Sequence, residues 1–434
     1  MKFPGFSIAI CLLVGSSLIR ANPIPKSYSN PQYLQLGLKK SRVGINEIER
    51  VADEFKEVQK LTYYPYKLEL KNRGFFYTVD LKIGTPEQTV SVLLDTGSSD
   101  LWVVGSNVRC SSSEPNDDCK EYGAFDTSQS STWSSNGTDF YISYLDNSSA
   151  SGVWGMDILK INDLNIDGAT LAVANESSTS LAVLGVGLSA VETTNIVYPY
   201  YTYDNIPLIL KRNGVIARNV YSLFTNKLEA ASGSILFGGI DHEKYSGKLL
   251  TMPVVNVAPD VSPDPMHLAV ILSGLTYSTM GDKIDPFCSR IPAILDSGSS
   301  GTYFPKAIVE QIAELLGAVW DEEIGAYGGQ CAASSDTLDF DFGGINISVP
   351  LSAFIIKKDS TCYYLIFPFE NDLVLLGATF LSHAYVVYDL DRLEISMAQA
   401  SYSSVEDIEP IIDDVPRSEK APGYSFDWNY YDDQ

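Results

Sequence analysis

The sequence predicts a mostly β protein made of two related halves with a cleft between them. The first observation behind this is a repeat. VLLDTGSSDLWVV stands at 92–104 and AILDSGSSGTYFP at 293–305. In each copy an apolar run ends in Asp, followed by a small hydroxyl residue, Gly and two serines. The second observation is a shorter element shared downstream, VLGVG at 183–187 and LLGAT at 375–379. The third is texture. YKLELKN, FFYTVDLKIG, TVSVLLD, DFYISYL and GSILFGG alternate or run apolar between Gly, Asn and Ser turns, the pattern of short strands. Two homologous lobes with one copy each account for all three, and the halves are expected to meet near 245–255.

The chain has 434 residues, room for two domains plus processing segments. It opens MKFPGFSIAICLLVGSSLIRANPIPK, with one Lys before an apolar stretch from Phe6 to Ile19 and Ala21 as a cleavage position. Residues 1–21 read as a signal peptide, the alternative being a buried N-terminal helix. Residues 22–60 are Lys-rich, bounded by Pro and helical in pattern at INEIERVADEFKEVQK, without the β-branched runs that follow. A basic segment ahead of an acidic body reads as a propeptide held by charge; a disordered arm is the alternative. Residues 61–248 then form the first lobe and 249–403 the second, where AIVEQIAELLGAV is the clearest helical pattern. Residues 404–434 read as an acidic, aromatic tail without the apolar end of a lipid-anchor signal.

Acidic residues outnumber basic ones 54 to 30, for a net charge of −24 and a pI near 4.4. Such a polyanion repels nucleic acid and anionic membranes, and its self-repulsion fades toward acid pH. No run after the first reaches transmembrane length. Three His occur, with no HExxH or CxxC pair for zinc, no GxSxG elbow and no P-loop. Neither a metal nor an organic cofactor is expected. Once Cys11 leaves with the signal peptide, Cys110, Cys119, Cys288, Cys331 and Cys362 remain, enough for two bridges and one leftover thiol. Sequons beginning at Asn136, Asn147, Asn175 and Asn346 fit a secretory route.

The repeated turn can do specific chemistry. Gly97 and Gly298 carry no side chain, so two turns built as Asp95-Thr96-Gly97 and Asp296-Ser297-Gly298 can approach across a two-fold axis. Two carboxylates that close share a proton, and their pKa values split. One then acts as base and the other as acid on a water held between them. Ser98 and Ser299, three residues after each Asp, are placed to hydrogen-bond the outer carboxylate oxygens.

With these residues in view, the chain resembles pepsin-type aspartic proteases from about residue 64 to 403. DTGSSDLW, DSGSSGTYF, FGGIDHEKYSGKL and LLGATFLSHAYVVYDLDRLEISMA carry the resemblance, and YDNIPLILKRNGVIARNVYSLF is similar to the fungal yapsins and candidapepsins. The resemblance implies a bilobal, pepsin-like double β-barrel with a cleft between two homologous lobes. It implies acid hydrolysis of peptide or protein substrates, a zymogen inhibited by its own propeptide, and a monomer. The flap hairpin of the family maps onto DFYISYLDNSSASGVWG. Tyr144 takes the flap tyrosine position and Trp102 that of the tryptophan supporting it, while Leu145 stands where Gly is usual. A glycan on Asn147 would sit close to the cleft.

Asp146, two residues past Tyr144, shares its strand face. In fungal relatives an Asp here goes with accepting Lys or Arg before the scissile bond; a solvated hairpin acid is the alternative. Cys110 with Cys119 and Cys331 with Cys362 match bridges of the family, which leaves Cys288, expected as a small buried hydrophobe. Ala378 replaces the Asp of the family's LLGD segment. The long acidic insertion of several yapsins between the first two cysteines is missing, and so is their C-terminal anchor. The expected destination is therefore outside the cell or the vacuole. A binding protein on the same scaffold would be expected to have lost an Asp, a Gly or the flap Tyr, and all are intact.

Overall fold

The computed structural model describes residues 34–41, 76–111, 118–144, 147–161, 164–196, 200–227 and 230–424. The signal-peptide stretch, the helical pattern at 45–60 and the last ten residues lie outside them. Among the described residues fourteen strands form one sheet that runs through both halves. The N-terminal half contributes Phe76–Ile83, Gln88–Asp95, Val183–Gly185, Leu101–Cys110, Leu164–Ser177, Ser149–Ile161 and Ser134–Ser143, in that spatial order. Phe76–Ile83 pairs back onto Ser149–Ile161, which curls this end toward a barrel.

The other arm of the sheet runs through Ser232–Phe237, Val220–Phe224, Ala384–Asp389, Glu394–Ala400, Tyr245–Pro253 and Ser418–Lys420. The second half adds a five-stranded sheet ordered Ala269–Leu272, Ile291–Leu295, Val374–Leu376, Thr302–Pro305, Ile366–Phe369. Tyr245–Pro253, in the region where the halves were expected to meet, is a strand of the large sheet. The clearest helical pattern forms Lys306–Leu315, with Ile308, Val309, Ile312 and Ala313 on its buried face. No described helix is long and apolar enough to cross a membrane.

Two segments depart from the sequence reading. Leu34–Ser41, inside the stretch read as lacking strands, is a strand between the two arms of the large sheet. Its backbone pairs antiparallel with Ser232–Phe237 (Leu34↔Phe237) and with Phe76–Ile83 (Lys39↔Thr78). LQLGLKK does alternate, but it is short and ends in Lys. Partners distant in sequence select its conformation. The stretch read as a tail is also built in. Ile408–Pro410 pairs with Gly239–Asp241, and Ser418–Lys420 runs parallel to Tyr245–Pro253. Ile411, Val415 and Ala421 are buried there. Arg392 holds Asp413 at 2.5 Å and also pairs with Asp414, while Lys420 pairs with the buried Glu394. The acidic composition concealed these apolar anchors.

Both expected bridges form, Cys110–Cys119 and Cys331–Cys362, with Cα atoms 5.8 and 5.0 Å apart. Cys288 is exposed rather than buried, because it sits in the connection between Asp282–Phe287 and Ile291–Leu295.

Candidate active site

The repeat in sequence is a repeat in space. Gln88–Asp95 runs parallel to Val183–Gly185, with Asp95 opposite Gly185. Ile291–Leu295 runs parallel to Val374–Leu376 in the same way, with Leu295 opposite Leu376. The strand that leaves each loop returns antiparallel to that same short strand: Trp102↔Val183 in one half and Tyr303↔Leu375 in the other. The second shared element is thus the floor under each loop. Val186 N donates to Asp95 O at 2.9 Å and Gly187 N to Ser98 O at 2.8 Å. Asp296 N donates to Leu376 O at 3.0 Å and Ala378 N to Ser299 O at 2.8 Å. The floor glycine is needed because the loops press onto it. A Cβ on Gly185 would lie 2.5 Å from Ser99 N, and one on Gly377 2.1 Å from Gly301 O. Ala378 itself is fully buried, and its side chain adds no charge to the site.

The two loops grip each other. Thr96 Oγ1 donates to Leu295 O at 2.8 Å and accepts from Ser297 N at 2.9 Å. Reciprocally, Ser297 Oγ donates to Leu94 O at 2.8 Å and accepts from Thr96 N at 3.1 Å. Four buried bonds of this kind fix the spacing of the halves at the point where the carboxyls face each other. A Cβ on Gly97 would lie 2.8 Å from Asp296 Cγ, and one on Gly298 would lie 2.5 Å from Asp95 Oδ1. Each glycine therefore leaves room for the opposite carboxyl.

The carboxyls are held from their own loops as well. Gly97 N donates to Asp95 Oδ1 at 2.7 Å and Gly298 N to Asp296 Oδ1 at 2.8 Å. Asp95 is 7% exposed and Asp296 1%. Burial first, then the charge and hydrogen bond of Asp95, raise Asp296 well above the usual carboxylate range.

The serines differ from expectation. Ser98 Oγ donates a short hydrogen bond to Asp95 Oδ2. Ser299 Oγ is buried without a hydrogen-bond partner, so Asp296 lacks the matching bond.

The hairpin of Ser134–Ser143 and Ser149–Ile161 forms where the flap was expected. Trp102 is fully buried, and its Nε1 donates to Tyr144 Oη at 2.7 Å. The hairpin turn is closed by Tyr144 N to Ser148 O at 2.9 Å, and Asn147 takes φ 64°, a left-handed conformation that Asn tolerates. Leu145 and Asp146 lie outside the described residues.

Sequence reasoning missed three residues behind the first loop. Asp100 is buried and accepts from Tyr203 Oη at 2.5 Å, and Glu192 is buried beside it. One signal was available: the first copy reads DTGSSD where the second reads DSGSSG, so an acid stands where the repeat has none.

Two interlocked Asp-loops beneath a hairpin, on a sheet shared by two halves, are the architecture of an aspartic-type endopeptidase. The chain belongs to the eukaryotic aspartyl protease family, whose model matches residues 76–400. It is 43% identical over 389 residues to aspartic proteinase yapsin-3 of Saccharomyces cerevisiae, spanning 86% of this chain and 76% of that protein. It is 37% identical over 347 residues to candidapepsin of Candida tropicalis, spanning 78% and 82%. The crystal structure of the aspartic proteinase from Irpex lacteus superposes with a TM-score of 0.62 at 22% identity, over 76% of this chain and 96% of that one, and shares the bilobal β fold.

Proposed function

We propose that Asp95 and Asp296 share one proton and hydrolyse peptide bonds through an activated water. One carboxylate takes a proton from the water as its oxygen attacks the scissile carbonyl carbon. The other carboxyl gives its proton to the carbonyl oxygen, so a neutral tetrahedral gem-diol forms with no covalent enzyme adduct. Collapse sends a proton to the leaving nitrogen, the C–N bond breaks, and a carboxyl and an amine are released. The observation that carries this reading is the apposition of each carboxyl to the opposite loop's glycine.

The sign of the pH dependence follows from Asp296. Its raised value means that the stability tied to its proton is complete below the usual carboxylate range and drains as pH climbs through the raised value. Activity is expected to be bell-shaped in the acid range, falling on the alkaline side as the shared proton leaves. A kcat/KM profile on a peptide library tests this, with inhibition by a peptide carrying a tetrahedral hydroxyl as the second arm. A rate that rises steadily through neutrality would refute it.

The same reading holds that the protein is made as a secreted or vacuolar zymogen. Residues 22–60 would be removed between Lys40 and Leu61, and cleavage after Lys60 is the specific expectation. The central position of Leu34–Ser41 in the sheet supports a segment bound to the body before removal. N-terminal sequencing decides it, since a mature form starting near Asn22 would refute the zymogen. The four sequon asparagines Asn136, Asn147, Asn175 and Asn346 are exposed, which supports glycosylation. Asp146 is proposed to pair Lys or Arg before the scissile bond, where a carboxylate offsets the desolvation of a cation. Asp146→Thr should then lower kcat/KM for such substrates by about tenfold or more and leave Leu or Phe substrates nearly unchanged. Equal loss for both classes would assign Asp146 to the hairpin instead.

A further inference from the structure

Beneath the interlocked loops stand two phenols that the hydrolytic chemistry does not use. Tyr221 lies on Val220–Phe224 and Tyr388 on Ala384–Asp389, one strand from each half. These strands pair antiparallel with the two tyrosines directly opposite, and the rings stack with centroids 5.0 Å apart. Both residues are 0% exposed. Alternation gives the sheet two faces here. Tyr221 and Tyr388 join the main core, whereas Tyr385 and Val387 pack in a separate cluster with Ile411. Leu94 and Leu295, which lead into the two Asp-loops, belong to that same main core. The phenols therefore share the face of the sheet on which the catalytic loops are built.

Neither phenol oxygen has a hydrogen-bond partner. A buried hydroxyl left in that state is costly, and folded proteins keep few of them. The Thr96 hydroxyl faces Tyr388 Oη without completing a bond. Thr96 Oγ1 has capacity to spare. It donates to Leu295 O and accepts from Ser297 N, which leaves one of its two lone pairs unused. The charges that bear on the two phenols are the catalytic carboxyls, Asp95 on Tyr221 and Asp296 on Tyr388. Burial raises both phenols above their ordinary range, so each keeps its proton wherever the enzyme works. Tyr388 thus holds a permanent O–H donor next to the grip that spaces the two carboxyls.

We propose that Tyr388 is a positioning residue for the carboxyl pair: held upright by its stack on Tyr221, it donates its O–H to the unused lone pair of Thr96 Oγ1 as the two loops tighten on the tetrahedral intermediate. Hydrogen bonds of a catalytic site are often open in the free enzyme and close only around the reacting substrate. The bond from Tyr388 adds a fifth member to the buried set of four that crosses between the loops, and bonds in such a chain strengthen one another. Its effect reaches the chemistry through spacing. Two carboxyls held closer share their proton more firmly, so their two apparent pKa values lie further apart. Without the phenol the loops sit looser, the split narrows, and the reaction loses part of its preorganised geometry. The inference rests on the shared-proton reading of Asp95 and Asp296 and adds to it a residue from the sheet below.

Tyr388→Phe keeps the ring stack and removes only the hydroxyl. Because that hydroxyl has no partner in the free protein, the variant should fold, with a urea midpoint close to the wild type's. Its kcat and kcat/KM should fall together by about fivefold with KM unchanged, the signature of a bond made only in the transition state. Its pH profile of kcat/KM should also narrow from both sides, by about half a pH unit in total. A narrowed bell with lowered kcat supports the proposal. A bell of unchanged width overturns it, whether the midpoint holds or drops, since a merely structural phenol would alter stability and leave the width alone. The two readings fail differently. A wild-type profile that is no bell would refute the shared proton itself, whereas a wild-type bell that Tyr388→Phe leaves as wide refutes only the role of Tyr388.

Discussion

The two Asp-loops share one backbone plan and differ in what their side chains do. At the third position past each Asp, Ser98 bonds its carboxyl and Ser299 does not. At the fifth, Asp100 enters a buried acid pair, while Gly301 lies so close to Phe367 that a Cβ would come within 2.5 Å of its ring. At the seventh, Trp102 holds the hairpin tyrosine, whereas Tyr303 packs its ring at a tilt against Phe367, centroids 5.1 Å apart. The backbone carries the symmetry that a paired-carboxyl reaction needs. Among the described residues, the tryptophan that holds the hairpin and the acid that joins Glu192 stand at loop positions where the second copy has Tyr303 and Gly301 instead. A duplicated fold thus keeps its two-fold relation where the chemistry is shared and loses it where one half has a task of its own.

The largest expected effect tests the shared part. Gly97→Ala and Gly298→Ala each drive a methyl into the opposite carboxyl and should lower kcat/KM by about a hundredfold or more. Near wild-type activity in either variant would break the symmetry of the site. Next is a stability effect confined to one half. Tyr203→Phe leaves Asp100 short of a buried donor and should cost about 2 kcal/mol in urea unfolding at acid pH. A loss within error would mean that the phenol is not needed there. Trp102→Phe keeps an aromatic ring but removes the donor to Tyr144, and about tenfold should be lost from kcat/KM, together with some stability from the space left in the core. The finest test compares the serines: Ser98→Ala should cost about fivefold in kcat, and Ser299→Ala less than about twofold. Equal losses would show that Ser299 turns toward Asp296 during the reaction.

Much of this was legible in the sequence because it is dictated by backbone. Asp95 and Asp296 stand at the ends of apolar strands in matching contexts, and Gly97, Gly298, Gly185 and Gly377 mark places where no Cβ fits. The cysteine pairs and the Trp102–Tyr144 contact followed from the resemblance. What stayed hidden depends on side-chain placement or distant pairing. Nothing local tells that Ser98 bonds its carboxyl and Ser299 does not. Glu192 stands among small polar residues in the sequence, and nothing in its immediate neighbours marks its complete burial. Leu34–Ser41 becomes a strand because two arms of a sheet flank it. The acidic run after 403 docks through Ile411, Val415 and Ala421, three apolar residues scattered among charges.

The central claim is that one carboxyl from each half forms a single catalytic unit, and single substitution of each tests it most directly. Asp95→Asn and Asp296→Asn would be compared with the wild type in kcat/KM on one peptide at its acid optimum, alongside circular dichroism of each variant. The account predicts that either change alone removes at least about a thousandfold of activity, because members of one unit fail together, while the fold is retained. Activity within about tenfold of wild type in either folded variant would contradict it.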